Sequence, residues 1–128
     1  MRLVSDTVFT EVVIHASAEE LAALAHAVAE GGGFVGCAPS PDGGTLVGIE
    51  TRKTSGTGAR IALDAPRQVL VISGDPGARA ILADNLRAMA AAEDGGHLHI
   101  DYFPDHPYLV EGSVPIVVSS PHGGMPTR

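Results

Sequence analysis

The spacing of apolar residues divides the chain into two similar series of elements. A segment rich in β-branched residues predicts a strand over residues 7–16. Ser17 and Glu20 then form the pattern of a capping box, and apolar residues recur at helical spacing until Gly31, so we expect a helix in between. Two short strands complete this series, and we expect them over residues 34–37 and 45–52.

The second series begins after a predicted hairpin. The turn-rich residues 53–58 are expected to join the strand over 45–52 to a strand over 59–64. A strand over 68–73 then leads to Asp75 as the N-cap of a second helix. Pro76 occupies the first helical position, where its missing N–H costs nothing. The buried face of this helix is marked by Ala78, Leu82, Leu86 and Met89.

Two more strands are expected after this helix, which Gly95 and Gly96 should end. They cover residues 97–103 and 113–119, and Pro115 indicates either an edge position or the start of the final strand. The chain therefore predicts an α+β fold, in which two strand-helix-strand-strand units form one mainly antiparallel sheet with two helices packed on one face.

The repeated order suggests a degenerate internal duplication within one domain. We place that α+β domain at residues 1–118, with pseudo-repeat halves of about 7–53 and 68–118. Residues 119–128, rich in proline and glycine, are predicted to be a flexible C-terminal tail.

The charge of the chain excludes some kinds of partner. The 128 residues carry 15 Asp and Glu against 8 Lys and Arg, a net charge of −7. Such a surface repels nucleic acid, so we expect no direct nucleic-acid binding. The one basic cluster is interrupted by two acids: Arg52, Lys53, Arg60 and Arg67 stand beside Glu50 and Asp64. We expect no membrane contact, because no apolar run has the length of a membrane helix. With no secretory signal pattern and a single cysteine, Cys37, a cytoplasmic protein is predicted.

Candidate chemistry concentrates in the strand over 97–103. Alternation puts three polar residues, His97, His99 and Asp101, on one side and apolar residues on the other. The polar side is interpreted as a solvated or partner-binding face. The alternative is a divalent metal held by His97, His99, Asp101 and His106. The His-x-His-x-Asp spacing resembles the start of the metallo-β-lactamase motif, but Tyr102 stands where that family needs a ligand for its second metal.

Other catalytic patterns are missing. Gly31, Gly33 and Gly36 have the spacing of a dinucleotide-binding loop, yet they follow a helix instead of a strand. No phosphate-loop, nucleophile-elbow or paired-cysteine motif occurs in the sequence. We therefore predict a protein that is not an enzyme and that needs no cofactor.

An aromatic loop follows the histidine strand and ends in another acidic residue. Prolines stiffen it and rigid aromatic side chains lose little entropy on contact, so it is a candidate anchor for a partner, with acidic residues at its rim. The alternative is that its tyrosines cover the end of the core. The predicted partner-binding residues, including those of the preceding strand, are His97, His99, Asp101, Phe103, Asp105, His106, Tyr108 and Glu111.

Residues 68–120 resemble the immunity protein 32 family of bacterial polymorphic-toxin systems. The resemblance is carried by a strand ending at Gly74 and Asp75, an amphipathic helix after Pro76, the strand His-Leu-His-Ile-Asp from residue 97, and Gly112–Ser113 before an apolar strand at 116–118. It implies a small non-enzymatic protein that binds and blocks a cognate toxin.

Three functions are compared on these grounds. The first is a toxin-neutralising protein whose acidic second half meets a basic surface, for example that of a nuclease. The second is a metal-binding protein or small metal-dependent enzyme. The third is a structural protein that associates with itself as a homodimer through an edge strand near Pro115.

Overall fold

The computed structural model describes residues 2–6, 11–36, 46–54, 56–64, 66–91, 97–106 and 108–119. Its elements, in chain order, are β1 (Arg2–Asp6), β2 (Glu11–His15), α1 (Ala18–Glu30), β3 (Gly32–Gly36), β4 (Gly48–Lys53), β5 (Ala59–Asp64), β6 (Val69–Gly74), α2 (Pro76–Ala91), β7 (His97–Ile100) and β8 (Ile116–Ser119). Strands and two helices occur in one chain, and the predicted α+β class is confirmed.

The start of each helix follows its local signal. At α1, the Ser17 hydroxyl accepts a hydrogen bond from the Glu20 amide and the Glu20 carboxylate accepts one from the Ser17 amide, which completes the capping box. Gly31 ends α1 in the left-handed region, with φ 75°. At α2, a carboxylate oxygen of Asp75 accepts a hydrogen bond from the Ala78 amide, and Pro76 is the first helical residue.

The strands form two four-stranded sheets, where the sequence predicted one. Sheet A has the order β1-β2-β8-β7 and sheet B the order β3-β4-β6-β5. The predicted hairpin between β4 and β5 is wrong, because β6 lies between them and pairs with both, parallel to β4 and antiparallel to β5. Each sheet is mixed: its central pair is parallel and its outer pairs are antiparallel.

Both halves of the chain follow the same order, strand, strand, helix, strand, strand. The inner strand before each helix pairs in parallel with the last strand of the other half, β2 with β8 and β6 with β4. The first strand pair of each half thus shares a sheet with the second strand pair of the other half. The single domain and its internal duplication stay predictions, which this repeated pairing supports.

One apolar cluster joins both sheets and both helices. It includes residues from each sheet, such as Ile14 and Ile72, and from each helix, such as Leu24 and Leu82, all of them fully buried. The two helices contact each other along their buried faces. The four residues predicted for the buried face of α2 (Ala78, Leu82, Leu86 and Met89) are all buried. Burial of this apolar surface is the main term that stabilises the fold.

Several boundaries differ from the sequence predictions. Pro115 directly precedes β8, so it marks the start of the strand, and β8 is an inner strand of sheet A instead of an edge. The strand predicted over 7–16 is shorter and covers Glu11–His15, and residues 7–10 lie outside the described part of the chain. Cys37, Gly95 and Gly96 also lie outside it, as does the predicted tail apart from Ser119, which belongs to β8.

Candidate functional site

The connection between β7 and β8, here called the β7–β8 loop (residues 101–115), crosses from sheet A to the edge of sheet B. The Tyr108 carbonyl accepts a hydrogen bond from the Ala59 amide at 2.7 Å, and the Ala59 carbonyl accepts one from Val110 at 2.9 Å. Two residues further on, the Ile61 carbonyl accepts from the Val114 amide at 2.7 Å. The loop is therefore paired along β5 much as a further strand would be.

A glycine allows this close approach. Gly58 precedes β5 with φ 91°, and a Cβ there would lie 2.5 Å from Cγ1 of Val110 and 3.1 Å from the Tyr108 carbonyl oxygen. The Gly58 amide also donates to Asp75 at the start of α2. Because Gly58 has no side chain and adopts a positive φ, the loop, β5 and the start of α2 can lie close together.

Tyr108 anchors the loop in the core. Its ring is 8% exposed, and its hydroxyl accepts a hydrogen bond from the side-chain amide of Asn85 on α2 at 2.9 Å. Burial raises the pKa of the Tyr108 hydroxyl above its ordinary value. The sequence predicted Tyr108 either as a partner contact or as a cover for the end of the core, and in the structure it belongs to the core.

His106 organises the next part of the loop. Its Nδ1 accepts hydrogen bonds from the amides of Tyr108, at 3.1 Å, and Leu109, at 2.9 Å. The imidazole contacts two aromatic rings, with centroids 4.7 Å from Phe103 and 4.6 Å from Tyr108. Burial lowers the pKa of His106, and the nearby charge of Asp101 opposes this shift. A neutral imidazole that accepts from two amides holds the loop in shape and leaves Nδ1 no lone pair for a metal.

A tight turn carries the exposed aromatic residue. The His106 amide donates to the Phe103 carbonyl at 3.0 Å, with Pro104 second in the turn and Asp105 third, at φ 68°. Proline at the second position and a positive φ at the third define a type II turn. Phe103 remains 54% exposed at the head of this turn.

Four exposed residues make up what we call the acidic loop surface: Asp101, Phe103, Asp105 and Glu111. Three carboxylates thus lie along the same loop as one large apolar side chain. No Lys or Arg occurs between residues 88 and 127, and the guanidinium of Arg60 on β5 lies near Gly112, next to Glu111. Five of the eight predicted contact residues are exposed, these four and His99, whereas His106 is half-buried and Tyr108 is buried.

The structure describes two of the metal-ligand candidates on the histidine strand and beside it, His99 and Asp101, with their side chains. His99 is exposed on sheet A opposite Val117. His97 pairs with Ser119 through its backbone, and its side chain lies outside the described part of the structure. Across the residues that the structure describes, no group of three or more His, Cys, Asp or Glu side chains could hold a metal ion.

Arg52 and Arg60 of the basic cluster lie on one face of sheet B, where Arg52 and Arg67 pair with acids, whereas the stem of Lys53 lies beside Gly31 at the end of α1. Arg67 contacts Glu50 at 3.1 Å and Asp64 at 2.7 Å, and Arg52 also contacts Glu50. Hydrogen bonds from Arg67 and then Arg52 lower the pKa of Glu50, and hydrogen bonding by Arg67 lowers that of Asp64. This face is a mixture of charges, unlike the continuous basic stripe on which phosphate backbones bind.

Sequence reasoning missed the buried arginine of α2. Arg79 is 3% exposed, and its guanidinium donates to the Gly74 carbonyl at 2.9 Å and to the carbonyls of Val28 and Ala29 at 3.2 and 2.7 Å. A signal was present, since Arg79 lies at helical spacing from Leu82 on the buried face. Its role is structural: it joins the end of α1 to the end of β6.

The structure is an α+β fold whose β7–β8 loop carries three exposed carboxylates and one exposed phenylalanine. Among family models, that of Immunity protein 32 matches residues 11–30 and 69–121, more than half of the chain. The chain belongs to the immunity protein 32 family, and its general role is that of an immunity protein. The resemblance drawn from residues 68–120 is confirmed, and the match adds β2 and α1 to it.

The matched segments contain the acidic loop surface, whereas β5, with which the loop pairs, lies outside them. They comprise β2 with α1, then β6, α2, β7, the loop and β8, while β3, β4 and β5 lie between them. The searches of curated proteins and of solved structures found no match. Neither helix in the described residues has the length and apolar character needed to cross a membrane.

Proposed function

We propose that this immunity protein binds and neutralises a cognate toxin through the acidic loop surface. Membership of the family supports a toxin as partner. We choose this surface because Phe103 lies exposed near Asp101 and Asp105 in sequence, on a loop whose backbone is fixed by hydrogen bonds. An interface of this kind uses an aromatic anchor at its centre and charges at its rim.

The supporting structure reduces the entropic cost of binding. The loop is bonded to β5 on one side and to Asn85 through Tyr108, and Pro104 restricts its turn. A surface that is ordered before contact loses less conformational entropy when it docks. The exposed 54% of Phe103 is therefore available to a pocket on the toxin without rearrangement of the loop.

The charge of the surface defines the chemistry of the partner. Three exposed carboxylates in a chain of net charge −7 attract a basic surface and speed its approach. Nuclease toxins bind a polyanion and need such basic surfaces, so we propose a nuclease as the toxin class. The protein would then act in the cytoplasm, where the nucleic acid is, and its single cysteine suits a reducing compartment.

Co-expression with the toxin encoded beside its gene tests this proposal. The wild-type protein is expected to rescue growth and to co-purify with the toxin. Phe103→Ala should weaken the complex by about 30-fold, or ~2 kcal/mol, as expected for an anchor residue. Ile81→Ala is the matched control, because Ile81 is a similarly exposed apolar residue, at 43%, on α2.

The charges are tested by a triple variant, Asp101→Asn, Asp105→Asn and Glu111→Gln. Asparagine tolerates the positive φ of residue 105, so the turn should be retained. We expect slower association and a weaker salt dependence of binding, while Glu30→Gln on α1 serves as the charge control. A complex that forms equally well with Phe103→Ala and with the triple variant would show that another surface binds the toxin.

A further inference from the structure

Three polar side chains form a row across neighbouring strands of sheet B. Arg52 on β4 and Arg60 on β5 are each in register with Ser73 on β6, which lies between them. Residues in register point to the same side of a sheet and neighbouring strands lie about 4.8 Å apart, so the Cα atoms of the two arginines are roughly 10 Å apart. The adjacent residues Ile61 and Ile72 are fully buried, so the row lies on the face that points away from the core. We call these three residues the arginine row.

The arginine row forms one end of an open groove of about 490 Å³. Sites that bind small molecules commonly have volumes of roughly 300–1,000 Å³, so the groove has the size of such a site. Its floor beyond the row is apolar, because Val71, 9% exposed, and the half-buried Ala62 lie in register on the same face. A ligand in the groove would thus contact polar donors at one end and apolar surface next to them.

Arg60 and Ser73 have donors that the fold does not use. The side chain of Arg60 forms no hydrogen bond or ion pair with any residue that the structure describes. Its guanidinium lies near Gly112 in the β7–β8 loop, but it does not pair with the neighbouring Glu111. The Ser73 hydroxyl likewise has no hydrogen-bond partner in the described part of the chain. Both groups are therefore available to a ligand in the groove.

Arg52 retains its terminal nitrogens for the same purpose. Its Nε donates to Glu50, and no described residue accepts a hydrogen bond from its two Nη atoms. Arg67 pairs both with Glu50 and with Asp64, so each of these acids has an arginine partner. Together with Arg60, three guanidinium groups face two carboxylates. This leaves an excess of positive charge on one face of a chain whose net charge is −7.

We propose that the groove binds a small phosphate monoester, with the phosphate at the arginine row and the organic group over Val71 and Ala62. Guanidinium groups donate paired hydrogen bonds to phosphate oxygens, and a phosphate monoester has three terminal oxygens for two guanidinium groups and one hydroxyl. It also carries about two negative charges near neutral pH, which match the two arginines of the row. A carboxylate offers only two oxygens and one charge, so it fits the row less well.

The acids of the same face favour a small molecule over nucleic acid. Glu50 lies two residues from Arg52 on β4, and Asp64 lies four residues from Arg60 on β5. Their carboxylates leave room for one phosphate at the row and repel a chain of phosphates that extends along the strands. The groove is separate from the acidic loop surface, apart from the approach of Arg60 to Gly112, so phosphate binding does not require the toxin.

NMR titration of the full chain with phenyl phosphate, up to about 20 mM, tests the proposal. We expect saturable shifts centred on the arginine row and Val71, with a dissociation constant of about 1 mM. Inorganic phosphate should bind about 3-fold more weakly, because it lacks the ring that covers the apolar floor. Benzoate has the ring but a carboxylate in place of the phosphate, so it should bind at least ~5-fold more weakly than phenyl phosphate.

Variants of the row test the contribution of each donor. Arg60→Gln should weaken the binding of phenyl phosphate at least ~10-fold, because it removes a charged donor. Ser73→Ala should weaken it by about 3-fold, as expected for a neutral hydrogen bond. Arg87→Gln is the matched control, because Arg87 is an exposed arginine on α2 outside the groove, and this variant should bind like the wild type. Circular dichroism checks that the variants fold, and the shifts of the wild-type protein do not depend on them.

A wild-type spectrum without saturable shifts at the highest concentration overturns the site, as do shifts centred outside the groove. Equal affinities of Arg60→Gln and Arg87→Gln for phenyl phosphate also overturn it. Benzoate that binds as tightly as phenyl phosphate would show that the row does not select a phosphate. The triple variant of the acidic loop surface should retain phenyl phosphate binding, because its three substitutions lie outside the groove. Failure of the toxin proposal and failure of the phosphate site are therefore distinguishable.

Discussion

Replacement of Arg79 by methionine tests how a buried charge joins the two halves of the chain. The Val28 and Ala29 carbonyls belong to the last turn of α1 and have no partner within that helix, so the guanidinium caps them. It also donates to the Gly74 carbonyl at the end of β6. Methionine retains most of the apolar stem and removes all three donors.

The expected loss of stability follows from these three contacts. A hydrogen bond to a charged group contributes about 1.5–3 kcal/mol, and the Val28 and Ala29 carbonyls, left without a donor, cost a similar amount, whereas the Gly74 carbonyl keeps the Thr54 amide. Relief of the desolvation of a buried charge offsets part of this. We expect a net loss of ~3 kcal/mol, which corresponds to roughly 12 °C in Tm for a chain of this size.

Urea and thermal unfolding, followed by circular dichroism, measure the effect. Arg87→Met is the matched control, because Arg87 lies on the same helix with a half-exposed side chain that contacts Asp84. That variant should remain within ~0.5 kcal/mol of the wild type. Arg79→Lys should fall in between, since it keeps the charge without the planar fork. Equal stabilities for Arg79→Met and Arg87→Met would refute the capping role.

Two further predictions concern the β7–β8 loop. Because burial lowers the pKa of His106, the imidazole takes up a proton at a higher pH in the unfolded chain than in the folded one. The contribution of His106 to folding stability should therefore be complete above pH ~6.5 and should decline as the pH falls toward the folded pKa. His106→Asn should flatten this decline in urea unfolding, and an unchanged profile would contradict the assignment. Tyr108→Phe should lower the free energy of unfolding by ~1–2 kcal/mol, because it leaves the Asn85 side-chain amide without its acceptor. A double-mutant cycle with Asn85→Ala should show a coupling of about 1 kcal/mol, and strictly additive losses would exclude the contact.

The acidic loop surface was partly predictable. The sequence located the segment, its aromatic residues and its acids, because these are properties of neighbouring positions. It did not separate Phe103, which is exposed, from Tyr108, which is buried, since that difference arises from Asn85 on a distant helix and from pairing with β5. Likewise, the acceptor role of His106 depends on a turn geometry that residue type alone does not specify.

Local sequence signals specify both helices and most strands. The capping box at Ser17, the proline at position 76 and the apolar spacing act within a few residues, so they are readable along the chain. The family resemblance also came from short segments in the second half.

The division of the strands between two sheets depends on contacts between residues that are distant in sequence. Turn residues 53–58 are compatible with a local hairpin, yet β6 lies between β4 and β5 and pairs with both. This order of strands depends on the free energy gained by burying the apolar faces of strands that are distant in sequence. A pattern of neighbouring residues does not indicate that gain. Arg79 follows the same logic, because the carbonyls of Val28 and Ala29 that make its burial favourable come from the other half of the chain.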